Sequence, residues 1–589
     1  MKNESKLIEI ASPDNIDYFT PKSKAETMGE VASYYDSIAG DLVYIGVKVD
    51  KDNGKQHVPP LRLCKDVEVI GQGIDDYGDH SRLLSWYDSL TQQKQTLALP
   101  AAAIGEREGW GLLNSKGLAV ASGRMAREML ADYLQREGSK AHYVIANQSG
   151  WKCDAFVLPT GEVIGTPKSK IFYPASATHR PAFAQRGTSA DWRNNVGVLA
   201  QNNPLPMTAV ACSLAGAVLE LIGARDGIGL HLHTETSSGK STCADVAASI
   251  WGNPSKLMQS WDGTGVGLTN SAEFANSMML YLDEIGAGDA RKMGSIIYTM
   301  LNGVSRTQGR KEGGNRAKRT WLMTLISTGE IPMAQFLNEG GQAVRGGQEI
   351  RMLDIPADGG KYRSFDCIHQ YKDGGTFSIA VTDAARSHYG SVGRDFVAWL
   401  IANKSSAGGH VKACQDRMLA ELPDHAAAPV KRATRKWGIL AASLVMAGEA
   451  KLTGWEAEES YQAVRTIWQR WLADFGLSSR DDERLIEQVE NFLESHQLSR
   501  FALLPLSGNE TGIHNLAGYR RIMVDGITEF YLNSAGFKEA TQGYEIKKAR
   551  EVLHRVGILN RPDGRNQWTT TIGSGLGTVY KMTLRPCQG

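Results

Sequence analysis

The chain has 589 residues, of which 42% are hydrophobic and 22% charged, as in soluble globular proteins with several domains. Its 65 Lys and Arg residues balance 64 Asp and Glu residues, so the net charge is +1 and any nucleic-acid-binding surface must be local. Seven scattered cysteines without a C-x-x-C pair argue against a structural zinc site and predict reduced thiols in the cytoplasm.

The first third of the chain is predicted to be rich in β-strands. Residues 1–40 are polar and contain no apolar signal core, so we expect a mobile terminal segment there. Residues 41–200 are predicted to form a β-rich domain without a catalytic constellation. Its main elements are predicted strands at 42–49, 61–69 and 95–99, a helix at 122–136 and an exposed hairpin at 150–159. The apolar stripe of that helix is predicted to consist of Met125, Met129, Leu130 and Leu134.

An α/β domain is predicted over residues 201–375, because helices and apolar strands alternate there. The first helix, at 207–222, is apolar. Glu220 interrupts its apolar run and two prolines precede it, so we expect a buried helix and not a membrane span. A strand at 227–233, a loop and a helix at 241–251 follow.

The loop between this strand and this helix is typical of phosphate binding. It reads Thr234-Glu-Thr-Ser-Ser-Gly-Lys-Ser-Thr, close to the pattern G-x-x-x-x-G-K-S/T but with threonine at the first glycine position. Backbone N–H groups at a helix N-terminus attract a phosphate anion. Lys240 would contact the β- and γ-phosphates of ATP, and the Ser241 hydroxyl would ligate Mg²⁺. The predicted nucleotide-binding residues are Ser237, Ser238, Gly239, Lys240, Ser241 and Thr242. The alternative is a chance G-K-S triplet.

An acidic strand follows, and its first carboxylate, Asp283, lies 43 residues after Lys240. Its sequence, Met278-Met-Leu-Tyr-Leu-Asp-Glu-Ile-Gly, is an apolar run that ends in two carboxylates. Asp283 is predicted to hold Mg²⁺ through water, and Glu284 to orient or deprotonate an attacking water. The alternative is a core strand capped by solvated acids. Because parallel strands carry their polar ends to one edge of a sheet, we expect both motifs to share a site.

A third strand, at 320–330, is predicted to lie between these two motifs. This arrangement is typical of P-loop NTPases with an additional catalytic glutamate, the ASCE class, to which the ring-forming AAA+-like ATPases belong. Ser327, or its neighbour Thr328, would then act as the polar sensor of the γ-phosphate. The alternative for both hydroxyls is a helix cap or a turn.

Two kinds of basic residue could serve an oligomeric ATPase. Arg351, or alternatively Arg345, is predicted to reach the γ-phosphate held by a neighbouring subunit, because the transition state spreads charge over its oxygens. The competing interpretation is a surface arginine. A basic, glycine-containing loop is predicted to face a central pore and follow the phosphate backbone of DNA. Its residues are Arg306, Arg310, Lys311 and Arg316, followed by Lys318 and Arg319. A solvated loop is the alternative.

The remaining chain is predicted to form two further domains. Residues 376–478 read as helical, and the aromatic stripe Tyr461, Val464, Ile467, Trp468 and Trp471 is predicted to lie in the core. Residues 479–589 are predicted to form a winged-helix-like module, with a basic helix at 544–556 before two strands around a glycine-rich tip. Such a module contacts nucleic acid or docks a protein.

The combined motifs resemble the domain of unknown function 927 family over roughly residues 40–475. The segments that carry the resemblance are Trp151-Lys-Cys-Asp-Ala-Phe-Val-Leu-Pro, the phosphate loop, Leu282-Asp-Glu-Ile, Leu325-Ile-Ser-Thr-Gly-Glu, Arg351-Met-Leu-Asp-Ile-Pro-Ala-Asp and Gly454-Trp-Glu-Ala-Glu-Glu. Members occur in phages, plasmids and mobile elements and resemble self-loading replicative helicases of cassette chromosomes. The resemblance implies the same roles for Lys240, Ser241, Asp283 and Glu284, and a trans-acting Arg351. Thr234 departs from the family pattern, in which glycine is usual.

The sequence therefore predicts an ATP- and Mg²⁺-dependent DNA helicase or translocase of a mobile genetic element. We expect a homo-oligomeric ring, a hexamer, acting in DNA replication on single-stranded or forked DNA. No primase-like acidic motif is recognised, so a separate primase would supply primers. One alternative is a non-unwinding ATPase switch, such as a loader, recruiter or anti-phage defence component, that acts through protein partners. A weaker alternative is a small-molecule kinase.

Overall fold

The computed structural model of the chain describes residues 31–52, 54–175, 181–307, 309, 314, 318–341, 350–506, 513–524, 526–562, 567–573 and 576–584. The mobile segment predicted at the start therefore lies largely outside the described residues. The chain divides into two compact units, Met1–Ser176 and Ala177–Gly589. The division precedes the predicted boundary at residue 200, so the last residues assigned to the β-rich domain lie in the second unit.

The first unit consists of one mixed sheet, in which β13–β9 and β9–β6 are parallel pairs, and of smaller antiparallel sheets. A five-stranded sheet has the order β13-β9-β6-β7-β8, and smaller sheets have the orders β1-β2-β5, β10-β11-β12 and β3-β4. The strands are β1 (Tyr34–Ile38), β2 (Asp41–Ile45), β3 (Val47–Asp50), β4 (Gly54–His57), β5 (Leu61–Lys65), β6 (Glu68–Ile74), β7 (His80–Tyr87), β8 (Lys94–Pro100), β9 (His142–Ile145), β10 (Gly150–Lys152), β11 (Ala155–Val157), β12 (Val163–Ile164) and β13 (Lys170–Phe172). The helices are α1 (Arg107–Ser115) and α2 (Arg124–Arg136).

Helix α2 covers the core of this unit with part of its predicted stripe. Leu130 and Leu134 are fully buried, whereas Met125 is 65% exposed, so the prediction was wrong for that residue. Met125 lies in the first turn of the helix, beyond the edge of the core. The predicted hairpin is formed by β10 and β11, but β11 is buried along its length and is not exposed as expected.

The second unit is built around a five-stranded parallel sheet. Its strands are β14 (Ile228–His233), β15 (Met258–Ser260), β16 (Met279–Asp283), β17 (Thr324–Gly329) and β18 (Met352–Pro356). Their spatial order is β15-β16-β17-β14-β18, and every pairing is parallel. Strand β17 therefore lies between the strand before the phosphate loop and the acidic strand, as predicted.

Helices cover both faces of this sheet, as parallel sheets require. The described helices of this part of the chain are α3 (Ser189–Trp192), α4 (Val198–Ala200), α5 (Pro204–Leu221), α6 (Lys240–Ala248), α7 (Pro254–Leu257), α8 (Gly265–Phe274), α9 (Ala290–Asn302) and α10 (Met333–Glu339). Residues of α8, α9 and α10 share a core with Leu280, Leu282 and Leu325 on one face. Helices α5 and α6 pack against the other face.

The helical segment packs onto α5. Its helices are α11 (Gly374–Ser387), α12 (Ser391–Ala402), α13 (Lys404–Ala420), α14 (Ala428–Glu449) and α15 (Ala457–Phe475). Helices α14 and α15 contact α5, α15 also contacts β18, and the predicted aromatic stripe of α15 is buried. Among the described residues, α5 alone is long and apolar enough to cross a membrane, and 83% of it is buried inside the protein.

The described residues of the last part of the chain form three helices and a small sheet. The helices are α16 (Arg480–His496), α17 (Ser534–Ala540) and α18 (Ile546–Arg555). The strands are β19 (Phe501–Leu503), β20 (Gly518–Ile522), β21 (Thr528–Leu532), β22 (Leu559–Asn560), β23 (Thr570–Thr571) and β24 (Thr578–Thr583). The predicted basic helix and the antiparallel pair β23–β24 are present. Their assignment to a winged helix stays a prediction.

Candidate active site

The phosphate loop and the acid pair lie at the same edge of the parallel sheet. Leu232 near the end of β14 pairs with Thr328 on β17, and Leu282 near the end of β16 pairs with Ser327. The loop that follows β14 from Thr234 onward therefore begins at the same level as Asp283, the last residue of β16, and Glu284 after it. Ligand sites of open α/β sheets form at this carboxyl edge.

The loop makes its sharp turns at Ser237 and Gly239. Ser237 has φ +61° and Gly239, at the N-cap of α6, has φ +102°. A Cβ on Gly239 would lie 2.9 Å from the Phe365 ring, so only glycine fits there. Thr234 is not among the described residues with positive φ. The departure from the glycine pattern at Thr234 thus falls where the backbone does not need glycine.

The Lys240 side chain turns back over the loop. Its Nζ donates hydrogen bonds to the carbonyl oxygens of Thr234 at 2.5 Å and Glu235 at 3.1 Å. Burial lowers the pKa of the Lys240 amine, while the carboxylates of Glu284, Glu330 and Asp283 act in the opposite direction. The amine is thus close enough to both acids of the strand end to interact with them electrostatically.

The hydroxyl groups of the loop and of the first turn of α6 differ in burial and in hydrogen bonding. Ser238 is 4% exposed, and its buried Oγ has no hydrogen-bond partner among the described residues. A buried hydroxyl without a partner is unfavourable, and an oxygen-rich ligand such as a phosphate would satisfy it. The Thr242 hydroxyl instead bonds Ser378 on α11 at 2.6 Å. Ser241 stays exposed at the first turn of α6.

Thr328 fixes the acid pair. Its Oγ1 donates to Asp283 Oδ1 at 2.5 Å and accepts a hydrogen bond from the Glu284 backbone N–H at 3.0 Å. Glu284 has φ +54°, a conformation that non-glycine residues rarely adopt. Its carboxylate accepts a hydrogen bond from the Gly286 N–H at 3.2 Å. The threonine therefore holds both the carboxylate and the backbone at the point where the strand ends.

Ser327 faces the opposite side of the same strand. Its Oγ lies 2.9 Å from both Trp261 Nε1 and His231 Nδ1. His231 Nε2 bonds the Ile331 carbonyl, which can only accept, so Nε2 carries the proton and Nδ1 accepts from Ser327. Successive strand residues point to opposite faces, so only one of the two candidate sensor hydroxyls can reach the acid pair. In the structure this hydroxyl belongs to Thr328.

The buried His231 predicts a loss of stability in acid. Burial lowers its pKa to about 4 from the usual 6.5, so between these values the unfolded chain binds a proton that the folded chain does not. Stability contributed by the neutral ring is complete above pH 6.5 and declines toward pH 4, by up to about 3 kcal/mol. We expect the melting temperature to fall less steeply with decreasing pH, between pH 6.5 and pH 4, for His231→Gln than for the wild type. The same dependence of melting temperature on pH in both proteins would contradict the conclusion that His231 is buried as a neutral ring.

Two polar residues that the sequence did not single out lie beside the predicted site. Tyr281, two residues before Asp283, is buried, and its pKa is raised by burial and by the carboxylates of Asp283 and Asp245. Asp245, one helical turn after Ser241, is 4% exposed and pairs with Arg386 of α11 at 3.1 Å. Burial raises the pKa of Asp245 to about 6 although Arg386 opposes the shift. The periodicities of strand and helix were the only sequence signals that could have pointed to them.

The donor set fits Mg²⁺. Among the described residues, no group of three or more His, Cys, Asp or Glu side chains is arranged to hold a metal ion. Mg²⁺ bound with a nucleotide needs only one or two protein oxygens besides phosphate and water. The Ser241 hydroxyl, in the first turn of α6, and the Asp283 carboxylate, at the end of β16, could supply these oxygens.

Arg351 lies at the opposite edge of the sheet from Lys240. It precedes β18, and its Nε is 2.9 Å from Asp226 Oδ2, which lies just before β14. Its guanidinium also stacks over Tyr298, 5.1 Å from the ring centroid. The length of β14 separates Arg351 from Lys240 of the same chain, about 20 Å. Within one subunit Arg351 therefore cannot reach a phosphate at Lys240. Arg345 lies outside the described residues.

The basic loop is described only in part. Arg306 is exposed and donates to Ser295 at 3.2 Å, and Arg319 pairs with Glu273. Val304 and Thr320 form an antiparallel bridge that brings the two ends of the loop together. The other predicted DNA-contacting residues, Arg310, Lys311 and Arg316, lie outside the described residues.

Comparisons with known proteins agree with this architecture. The model of the domain of unknown function DUF927 matches residues 42–320, which confirms the predicted resemblance over that range. The fold is similar to a solved structure described as "SCCmec type IV Cch - active helicase", with a TM-score of 0.67 and 16% sequence identity. That alignment covers 95% of this chain and 98% of the other. No curated protein matches. At this level of identity the likeness establishes a shared fold.

Proposed function

We propose that this protein hydrolyses ATP with Mg²⁺ and uses the energy to move along DNA as a helicase or translocase. The observation that carries the proposal is the convergence at one sheet edge of Lys240 with Asp283 and Glu284, which interact with its amine. A cation, a helix N-terminus and a carboxylate pair at one point are what binding and hydrolysis of a triphosphate require.

Each group at this edge has a defined role in the proposal. The N–H groups at the start of α6 and the Lys240 amine bind the phosphates, and Ser241 and Asp283 hold Mg²⁺, which neutralises charge on the phosphate oxygens. Glu284 orients an attacking water and accepts its proton. Thr328, and not Ser327, is the hydroxyl that we propose as sensor, because it bonds the acid pair.

The coupling to DNA rests on the similarity of fold to an active helicase. We propose a homo-oligomeric ring, a hexamer, with ATP at each subunit interface. Because Arg351 lies far from Lys240 of its own chain, it or Arg345 would act on the nucleotide of a neighbour. Arg306, Arg310, Lys311 and Arg316 would contact single-stranded DNA, and the C-terminal module would serve as a winged helix. A separate primase would complete replication of the host element.

The test is ATP hydrolysis and strand displacement measured on the same preparation of the purified full-length protein. We expect single-stranded DNA to stimulate ATP turnover by about 10-fold, and a forked duplex to be unwound only when ATP and Mg²⁺ are both present. DNA binding should weaken steeply with salt, because cationic loops displace counterions from phosphates.

Two outcomes would contradict the helicase proposal. ATP turnover that ignores DNA, with no displacement on forks of either polarity, would favour a non-unwinding ATPase switch. Absence of turnover under all conditions would reject the ATPase itself. The matched control for the DNA contact compares Arg306→Ala with Arg291→Ala, since both arginines are exposed but Arg291, on α9, pairs with Asp289 at the N-cap of that helix.

A further inference from the structure

The turn that follows β18 packs directly against the phosphate loop. The backbone N–H of the buried Ser364 donates a hydrogen bond to the Ser238 carbonyl at 3.3 Å. The Phe365 ring lies so close to Gly239 that a Cβ on this glycine would approach the ring to 2.9 Å. These two contacts bring Arg363, the residue before Ser364, to the edge of the loop.

Contacts within and behind this turn fix its backbone. Gly360 and Arg363 form an antiparallel bridge, in which the Gly360 N–H donates to the Arg363 carbonyl at 2.7 Å. On the other side, Asp366 pairs with Arg470 of α15 at 3.1 Å, and its backbone N–H donates to Asn203 at 2.9 Å. Arg363 has φ +64°, a conformation that a non-glycine residue keeps only where its surroundings enforce it. The Arg363 side chain therefore starts from a fixed point beside the loop.

The Arg363 guanidinium lies on the exposed side of the loop. Its Nη1 donates a hydrogen bond to the Thr236 carbonyl at 3.3 Å, and both residues are exposed. The Lys240 amine bonds the carbonyls of the two preceding loop residues, Thr234 and Glu235. Two cationic groups therefore occupy three consecutive carbonyl oxygens in the first half of the loop.

The charge of Arg363 is available to a ligand. Within the described part of the chain, no carboxylate lies at ion-pair distance from its guanidinium. Other arginines of this unit differ in this respect, since Arg351 pairs with Asp226 and Arg386 with Asp245. A guanidinium presents several N–H donors in one plane, which matches two oxygens of a phosphate group. An anion that enters the loop would therefore meet a second cation besides the lysine.

We propose that Arg363 is a nucleotide-binding residue that contacts the γ-phosphate of ATP held in the loop of its own subunit. This inference rests on the proposed function of the same loop. The lysine of such a loop reaches the β- and γ-phosphates, and Arg363 lies at the next carbonyl beyond the Lys240 amine. An arginine at the γ-phosphate compensates the charge of its oxygens. Arg363 thus makes the site prefer ATP over ADP without a residue of a neighbouring subunit.

The test compares ATP and ADP binding by Arg363→Asn, because asparagine tolerates a positive φ but carries no charge. ADP and a non-hydrolysable ATP analogue each displace a fluorescent ADP analogue from the purified full-length protein, in the presence of Mg²⁺ at constant salt. We expect the affinity for the ATP analogue to fall about 10-fold or more, as for the loss of a hydrogen-bonded charge partner. The affinity for ADP should stay within about twofold. Arg363→Lys keeps the charge and should recover part of the lost affinity.

Lys361→Ala is the matched control, because it removes a positive charge from the same turn. Lys361 is exposed, and its amine lies over the Tyr362 ring, 5.3 Å from the centroid. Its replacement should leave both affinities within about twofold of the wild type. Equal weakening of ADP and of the ATP analogue by Arg363→Asn would show that the arginine only stabilises the loop, and would overturn the inference. Unchanged affinities would overturn it as well.

Failure of the proposed function has a different result in the same experiment. A wild-type protein that binds neither nucleotide, or undiminished binding of both by Lys240→Ala, would reject the phosphate-loop site itself and with it the role of Arg363. Normal binding by the wild type, loss of both nucleotides in Lys240→Ala and selective loss of the ATP analogue in Arg363→Asn is the combination that we expect.

Discussion

Replacement of Lys240 by alanine is expected to abolish ATP hydrolysis and to weaken ATP binding by about 100-fold or more. Lys240 is 8% exposed, and the carboxylates of Glu284, Glu330 and Asp283 interact electrostatically with its amine. Without it, the triphosphate would meet these carboxylates with no compensating charge. Removing one partner of a buried charge pair costs about 3–5 kcal/mol, which corresponds to at least two powers of ten in affinity. Steady-state turnover and binding of a fluorescent ATP analogue measure the two effects.

The control for Lys240→Ala is Lys292→Ala. Lys292 is an exposed lysine on α9 whose only described ionic partner is Asp289 at the start of the same helix. Its replacement should leave turnover within about twofold of the wild type. Thermal melting of both variants establishes that they are folded. Turnover by folded Lys240→Ala at the wild-type rate would reject the phosphate-loop assignment.

Replacement of Glu284 by glutamine is expected to separate binding from hydrolysis. Glutamine keeps the shape of the side chain and can still accept the hydrogen bond from Gly286, so the unusual backbone at this position should persist. It cannot take a proton from water. Loss of a general base lowers turnover by about 10²–10⁴-fold, and ATP binding should remain within a few-fold of the wild type. Single-turnover hydrolysis and equilibrium binding are the measurements.

Glu330 provides the matched comparison for Glu284, because its carboxylate also interacts with the Lys240 amine. It follows β17, and Thr328 two residues earlier bonds the Glu284 backbone. If Glu284 is the base, Glu330→Gln should retain most turnover. A large loss in Glu330→Gln combined with normal turnover in Glu284→Gln would transfer the role to Glu330.

The sequence predicted the elements around the phosphate loop because their signals are local. A strand, a glycine-containing turn and a helix follow one another within 21 residues, from Ile228 to Ala248, and each has its own pattern. The buried stripe of α15 was predicted for the same reason, because an aromatic residue at helical spacing needs a core. Met125 shows the limit of such patterns, since an apolar residue in the first turn can extend beyond the core.

Contacts between distant segments could not be predicted in this way. The choice between Ser327 and Thr328 depends on which face of β17 meets the acid pair, and strand periodicity alone leaves both faces open. Tyr281 reads as one more apolar residue of a buried strand until α6 is placed against it. The pairing of Arg351 with Asp226 joins residues 125 positions apart, just before the neighbouring strands β18 and β14. Each of these roles follows from the register of the sheet.

The most direct test of the central claim is a cryo-electron microscopy structure of the protein with a non-hydrolysable ATP analogue, Mg²⁺ and forked DNA. We predict that the γ-phosphate lies beside the Lys240 amine, with the metal between Ser241 and Asp283 and with Glu284 facing the phosphate. In a ring, the same map would show whether Arg345 or Arg351 of the adjacent subunit reaches that phosphate. A nucleotide bound elsewhere, or an empty loop at a saturating concentration of the analogue, would contradict the account.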